Sequence, residues 1–332
     1  MVRSVWLNDT IKNNSGIRNR GPGILSSMGD KRLLGLTFVP GLIWGASFLF
    51  IANGLEILPP EGVTFARILL GFVALGLFPA ARRPVPRGDW VPIAGLAVTW
   101  FAFPLSVFPF AEQHVSSALT GLLNGGTPIF VVMVSSLLSR SVPSKPVLVA
   151  LAVGLLGLGL IAAPSLAQGS SELDSTLAIL AALASYGVAA NLAGPLQRRS
   201  GALPVIWRAL GIAVLLTAPF GAPAMLRFHW QTGPVLSMLA LGVLGTALAN
   251  VVMAYIAGRV SASAASAPIF LIPVVSVILG IAVRGEWVPA TSLLGGAVCV
   301  LAALLLAQAR ARSAEVSAAE VIRNARPQVK AS

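Results

Sequence analysis

Ten apolar runs, each about as long as a membrane is thick, constrain the fold of this chain more than any other feature. The hydrocarbon core of a bilayer, about 30 Å thick, needs roughly 20 apolar residues of helix to cross it. This template predicts ten transmembrane helices, joined by short connections that leave no space for a separate soluble domain. The predicted helices span 34–55, 62–81, 90–110, 116–138, 146–164, 175–195, 203–223, 234–256, 262–283 and 290–308. The sequence therefore predicts an all-α membrane protein.

The composition agrees with this prediction. Hydrophobic residues make up 56% of the 332 residues and charged residues 10%, whereas roughly a quarter of the residues of a soluble domain are charged. One soluble core could not hold so many apolar side chains. The glycines and prolines lie largely inside the apolar runs, as transmembrane helices tolerate.

The net charge of +12 does not indicate nucleic-acid binding. The cations lie mostly between apolar runs or at the two ends of the chain, and no basic face is interleaved with aromatic residues. Cys299 is the single cysteine, and His114 and His229 are far apart in the sequence. The sequence therefore predicts no metal site and no bound cofactor.

The distribution of Lys and Arg predicts the orientation, because positive residues accumulate in cytoplasmic loops. With the N-terminus inside, only Arg227 and Arg284 fall in outer loops, Arg67 and Arg208 lie within helices, and all other Lys and Arg are inside. We expect an integral protein of the bacterial inner (plasma) membrane with cytoplasmic tails at 1–33 and 309–332. The first tail does not match a conventional secretory signal, and Met28 is a candidate for an alternative translation start.

The second half of the chain repeats landmarks of the first. Trp44-Gly45 matches Tyr186-Gly187 at a shift of 142, Arg67 matches Arg208 at 141, and Val115 to Pro128 matches Val260 to Pro273 at 145. These matches predict two repeats, at 34–165 and 175–308. Each repeat has five helices, an odd number, so the second must enter the membrane from the opposite side. Inverted repeats of this kind support alternating access.

The sequence resembles the EamA-type family of the drug/metabolite transporter superfamily. The resemblance rests on Trp44-Gly45-Ala46-Ser47-Phe48 in the first half and Gly245-Thr246-Ala247-Leu248-Ala249-Asn250 in the second. Further matches in the second half are Ala254-Tyr255, Ser261 to Ser266, Ile272-Pro273-Val274, Gly280, Glu286 and Leu293-Leu294-Gly295-Gly296. One departure is that the family often has a glutamate after the fourth helix, where this chain has Ser139-Arg140-Ser141.

This resemblance implies a secondary transporter that exports amino acids or related small metabolites. No phosphate-binding glycine loop of the Walker type is present, which argues against ATP-driven transport. Two alternatives are a structural or regulatory membrane subunit and a membrane enzyme acting on lipids. The enzyme is disfavoured because the chain has no cluster of acids, histidines or nucleophiles at the membrane surface.

Several residues at membrane depth are candidates for the substrate path. Pro128 and Pro273 each free a backbone carbonyl, which lines a polar site or reflects a structural kink. Arg67 and Arg208 are charged, so they either bind a substrate carboxylate or extend to the lipid headgroups. The aromatic and polar candidates are Trp44, Ser47, Tyr186, Asn124, Asn191 and Asn250.

The expected partners are a small-molecule substrate and membrane lipid. No predicted helix centre carries Asp or Glu, so facilitated exchange and coupling to protons through His114 or Glu112 both stay open, as does another coupling ion. The glycine content is compatible with a homodimer.

Overall fold

The computed structural model describes residues 28–168, 170–256, 259 and 262–325, and their regular structure is entirely helical. Most of the two predicted tails, 1–27 and 326–332, lies outside these residues. The helices form ten segments, which we number α1 to α10. The first five are α1 (Met28–Gly54), α2 (Pro60–Gly76), α3 (Trp90–Leu96, Ala97–Ala102 and Phe103–Ala111), α4 (Ser117–Asn124 and Thr127–Ser139) and α5 (Lys145–Ala162). The other five are α6 (Ser170–Ser200), α7 (Ala202–Ala224), α8 (Thr232–Leu239, Ala240–Leu248 and Ala249–Ile256), α9 (Ala262–Arg284) and α10 (Ala290–Ala325).

Eight of these segments are long and apolar enough to cross a membrane: α1, α3 to α8 and α10. The described apolar part of α9 is the shorter stretch Pro268–Arg284, and α2 has 17 residues. The chain is therefore an all-helical integral membrane protein.

Several predicted boundaries differ from the structure. The first helix begins at Met28 rather than at 34, and α10 continues to Ala325, so that 309–325, predicted as tail, is helical. The second helix ends at Gly76 rather than at 81, because Pro79, which lacks an N–H, begins a separate 3-10 turn, Pro79–Arg82.

The two halves of the chain interleave, because each major helix pair takes one helix from each half. The pairs are α1 with α9, α4 with α6, α2 with α7 and α5 with α10. A Cβ on Gly45 would lie 2.6 Å from Cβ of Val275, and a Cβ on Gly187 would lie 2.7 Å from the carbonyl oxygen of Phe130. Val275 and Phe130 are themselves related by the shift of 145. The glycines that match in sequence thus form matching close contacts in space.

We name the two ends of the bundle after residues that distinguish them. The Glu286 end holds the last residues of α1, α3 and α9 and the start of α4, with Glu56, Glu112, Arg284 and Glu286. The Arg140 end holds the last residue of α4 and the start of α3. There Arg140 closes α4 in the left-handed conformation, with φ 49°.

Candidate functional site

A cavity of about 290 Å³ lies between the two halves of the bundle. Its walls come from α1, α2, α3, α4, α6, α8 and α9. The residues that line it are Trp44, Ser47, Phe48, Arg67, Trp100, Phe101, Leu105, Phe108, Asn124, Thr127, Val131, Tyr186, Ala190, Gly245, Thr246, Asn250, Met253, Pro268, Ile269 and Ile272. Aromatic rings and a few polar groups thus face one space, as is typical of a small-molecule site.

The residues that line the cavity extend along α8 and α3 towards both ends of the bundle. Met253 lies three residues before α8 ends at the Arg140 end, whereas Phe108, near the Glu286 end, lies three residues before the end of α3. Beyond Phe108 a polar network crosses the bundle. Pro268, six residues after α9 begins at Ala262, also lines the cavity.

Two π-helical segments, one from each half, form part of the wall. They are Ala97–Ala102 in α3 and Ala240–Leu248 in α8. In each segment the backbone N–H groups reach carbonyls five residues earlier, as Phe103 does to Val98 and Ala249 to Leu244. Such wider turns displace carbonyls from the regular helical pattern and are frequent at functional sites.

Side chains of other helices donate hydrogen bonds to backbone carbonyls of these segments. The indole Nε1 of Trp44 donates to the carbonyl of Gly245 at 2.9 Å, and Oγ of Ser185 donates to the carbonyl of Thr99 at 2.9 Å. Both donors therefore come from the matched Trp44 and Tyr186 regions of α1 and α6. These bonds hold α1 and α6 against the π-helical segments and orient the indole of Trp44 in the cavity wall.

Arg67 supplies the positive charge of the cavity. The residue is 7% exposed, and its Nε donates to Oγ1 of Thr246 at 3.2 Å. Oγ1 of Thr246 in turn donates to the carbonyl of Leu241, so the π-helical segment of α8 holds this acceptor in place. Among the described residues, no carboxylate lies within 4 Å of Arg67. Its guanidinium is thus buried beside the cavity and is not exposed on the outer surface of the bundle.

Six of the ten candidate residues for the path line this cavity. They are Trp44, Ser47, Arg67, Asn124, Tyr186 and Asn250. The amide of Asn250 donates to the carbonyl of Thr246 at 2.7 Å, and that of Asn191, outside the lining, donates to the carbonyls of Val131 and Gly187. Pro128, Arg208 and Pro273 are not among the lining residues.

Pro128 does not lie in the middle of a continuous helix, as the sequence suggested. α4 breaks at Gly125-Gly126, and Pro128 occupies the first turn of the segment that begins at Thr127, where a missing N–H costs little. The carbonyl of Asn124, four residues earlier, accepts a 2.7 Å bond from Oγ1 of Thr127. Pro273 does lie inside α9, and its ring is 3.1 Å from a Cβ built on Gly125.

Arg208 does not join its counterpart Arg67 in the cavity. Its guanidinium lies 5.6 Å from the ring of Trp207 and 5.9 Å from that of Trp90, and it donates to the carbonyls of Pro204 and Ala81. Trp90 begins α3, and Ala81 belongs to the turn before it. The side chain therefore extends towards the Arg140 end of the bundle, where cation–π contacts hold it.

The sequence analysis did not identify the aromatic residues of α3. Trp100, Phe101 and Phe108 all line the cavity, and the ring of Phe108 lies 5.6 Å from Phe48 and 6.1 Å from Tyr186. The sequence signal for these cavity residues was the cluster of aromatic residues between 100 and 110. In an apolar helix such a cluster does not differ from ordinary helix packing.

A polar network that we call the strap crosses the Glu286 end. The Glu286 carboxylate accepts bonds from the backbone N–H groups of Ser117 and Ala118 and from Oγ of Ser117, at 2.8 to 3.2 Å. Arg284 donates to Glu56 at 2.9 Å and to Oδ1 of Asn53 at 2.8 Å, and its Nε lies 3.7 Å from Glu286.

The strap thereby connects three helices, because Asn53 lies in the last turn of α1 and Glu56 just after it, Ser117 and Ala118 begin α4, and Arg284 ends α9. A carboxylate at the positive N-terminus of a helix is a favourable arrangement. At the Arg140 end, the position that matches Glu286 at the shift of 145 is Ser141. The described residues there form a different polar link, in which Arg199 and Ser200 at the end of α6 donate to Asp89, just before α3.

A sequence model of the EamA-like transporter family matches residues 32–163 and again residues 175–308. A probable terminal-alkyne amino-acid exporter of Streptantibioticus cattleyicolor is 27% identical over 270 residues, which are 79% of this chain and 89% of that protein. An uncharacterized inner membrane transporter of Escherichia coli is 23% identical over 255 residues, 71% of this chain and 77% of the relative. One solved crystal structure aligns with this chain at a TM-score of 0.55 and 20% sequence identity. The alignment covers 83% of this chain and 96% of the chain in that structure.

Proposed function

This chain belongs to the EamA-like transporter family, and on that premise we propose that it exports amino acids or closely related small metabolites through the cavity between its two halves. Because the family consists of transporters, the alternative of a lipid-modifying enzyme is dropped. The proposal concerns the substrate class, the direction of transport and the place of the site.

The observation that carries the proposal is Arg67, a cation buried beside the cavity with no carboxylate within 4 Å among the described residues. Burying an unpaired charge is expensive, and a substrate carboxylate in the cavity would relieve that cost with charge-assisted hydrogen bonds. The faces of Trp44, Phe108 and Tyr186 are available to an ammonium group or an apolar side chain. A volume of about 290 Å³ suits a small metabolite.

The distant relative named as a probable amino-acid exporter supports the same class of substrate. The charge distribution supports an orientation of the chain in the membrane, because the cations of the loops gather at the Arg140 end. We propose that this end and both termini face the cytoplasm and that the Glu286 end faces outwards. The described conformation, strapped at the Glu286 end, is then ready to take up substrate from the cytoplasm.

Alternating access is the mechanism that this arrangement favours. Five helices in each half make the two repeats opposite in orientation, and the matched contacts of Gly45 and Gly187 support their equivalence. If the two halves exchanged conformations, the strap would break and α4 and α9 would separate from α1 at the Glu286 end. The Arg140 end would close at the same time.

The test is counterflow of labelled compounds into proteoliposomes preloaded with unlabelled compound. The panel pairs each amino acid with its carboxamide, which keeps the side chain and the ammonium but removes the negative charge. We expect saturable counterflow of at least one amino acid and little or none of its carboxamide. Equal counterflow of both members of every pair would contradict recognition of a carboxylate, and an absence of flux for the whole panel would contradict the proposed substrate class.

A further inference from the structure

Glu112 is a buried acid that the proposed path does not use. It directly follows α3, and its backbone N–H donates to the carbonyl of Phe108 at 2.9 Å. Phe108 lines the cavity, so Glu112 lies one helical turn beyond the cavity, between it and the Glu286 end. Part of the residue is exposed, but neither of its carboxylate oxygens is accessible to solvent.

Both oxygens of this carboxylate also lack a hydrogen-bond partner. The neighbouring acids are satisfied, since Glu286 accepts three bonds from the start of α4 and Glu56 pairs with Arg284. An ionised carboxylate without partners or water is far more costly to bury than its neutral, protonated form. The closed Glu286 end therefore favours a protonated Glu112.

The charged groups around Glu112 shift the pKa of its carboxyl in opposite directions. Burial raises the pKa of the Glu112 carboxyl well above its usual range, and the negative charge of Glu286 raises this pKa further. The charges of Arg284 and Arg67 oppose the rise. Arg284 is already shared by Glu56, Asn53 and Glu286 in the strap, and the nearby His114 is exposed. The strap thus occupies the cation that would otherwise neutralise Glu112.

We propose that Glu112 is a proton-binding site at the Glu286 end, which takes up one proton when this end closes and releases it to the water when this end opens. No bond other than the carboxyl O–H forms or breaks, and the proton comes from the aqueous phase on that side. The proposal rests on the proposed function only for the assignment of this end to the outer side.

The sign of the pH dependence follows from linkage. The closed end binds the proton more tightly than the open end, where water hydrates the carboxylate. Closure is therefore favoured at low pH and is lost as the pH rises through the pKa of the closed form. Acid outside would hold the carrier ready for cytoplasmic substrate. At the shift of 145 the counterpart of Glu112 in the sequence is Ala257, so the second repeat has no acid at the matching position.

The experiment measures how far the Glu286 end opens at each pH, without any substrate. A cysteine introduced at Leu105, which lines the cavity and is 4% exposed, is labelled with a membrane-impermeant maleimide added at the Glu286 side of vesicles. The native Cys299 is 1% exposed, and the parent protein without the added cysteine gives the background. The labelling rate of Leu105→Cys is measured in the protein with Glu112 and in the Glu112→Gln variant. The ratio of the first rate to the second cancels the pH dependence of the maleimide reaction itself.

We expect this ratio to rise severalfold from pH 5 to pH 8, because the amide of the Glu112→Gln variant stays neutral and keeps the end closed. Asp174→Asn, which removes an exposed carboxylate, should behave as the parent protein does. If Glu112→Gln does not fold, Glu112→Met is the second neutral variant, since its side chain suits an apolar site. A ratio that does not change with pH, or a failure of Leu105→Cys to label from this side at any pH, would overturn the proposal. Neither outcome depends on which compound is transported.

Discussion

Trp44 shows how a single side chain serves both the fold and the site. Its ring lines the cavity, while its Nε1 donates to the carbonyl of Gly245 in the π-helical segment of α8. The matching landmark Tyr186 lines the opposite wall. The pairing of these two aromatics was predictable from the repeat, because both precede a glycine that packs against the facing helix.

Replacing Trp44 by Phe removes this hydrogen bond and keeps an aromatic ring. We expect the free energy of unfolding to fall by about 0.6–1 kcal/mol, because the carbonyl of Gly245 loses its partner, and transport to slow severalfold. Thermal unfolding and counterflow of the purified protein measure the two effects.

Trp100→Phe is the matched control for this change. Trp100 also lines the cavity, but the described residues give its indole no hydrogen bond. Its replacement should therefore leave stability nearly unchanged, and equal losses of stability for the two variants would argue against a role of the Trp44 bond.

Arg67 and Arg208 mark the limit of prediction from the sequence at this scale. Both occupy equivalent positions in the repeats, so the sequence treats them alike. The environment of each differs because Arg67 meets Thr246 of a π-helical segment, whereas Arg208 meets Trp90 and Trp207. The direction of a long side chain depends on such partners, which come from distant parts of the chain.

The helices and their approximate bounds were accessible from apolar length alone, because the bilayer sets that length. The break of α4 at Gly125-Gly126 and the two π-helical segments were not. A π-helical turn uses the same residues as an α-helical one and differs in which carbonyl each N–H reaches, so hydropathy carries no signal for it. The partner of Glu286 was equally hidden, since it lies on a helix of the other half.

Gly187 tests the close contact between α6 and α4. Its replacement by Ala places a Cβ 2.7 Å from the carbonyl oxygen of Phe130, so the two helices must separate. We expect a loss of about 1–3 kcal/mol in the free energy of unfolding, measured by thermal unfolding in detergent.

Gly159→Ala provides the control within another helix, because nothing lies within 4 Å of a Cβ built there. This change should leave stability unchanged or raise it by up to about 1 kcal/mol, the difference in helix propensity. The close contact would be refuted if Gly187→Ala were as stable as Gly159→Ala.

At the scale of the whole molecule, the interleaving of the halves places the cavity between them and the strap across one end. The strap uses Glu286 of the second half to hold α4 of the first, and the first half has Ser141 at the matching position. The two ends of the bundle are therefore held by different contacts, since the described polar link at the Arg140 end joins Asp89 to Arg199 and Ser200.

The inverted arrangement that we propose for the two halves predicts the side of each loop. A fluorescent reporter fused after Ser332 should fluoresce, because we expect the C-terminus in the cytoplasm. A reporter inserted at Gly169, after five helices, should lie outside and stay dark, whereas alkaline phosphatase at the same site should be active. Cytoplasmic signals at both sites would contradict two inverted five-helix repeats.

The most direct test of a carboxylate site at Arg67 is the concentration dependence of counterflow for the transported amino acid in wild type, Arg67→Ala and Arg208→Ala. Arg67→Ala removes the cation beside the cavity, so the apparent affinity should fall about tenfold or more, the loss expected for a hydrogen bond to a charged group. Arg208, held by Trp90 and Trp207 away from the cavity, should be replaceable with an effect of less than about twofold in a protein that elutes as a single folded species. Unchanged affinity in a well-folded Arg67→Ala protein, or an equal loss in both variants, would contradict a carboxylate site at Arg67.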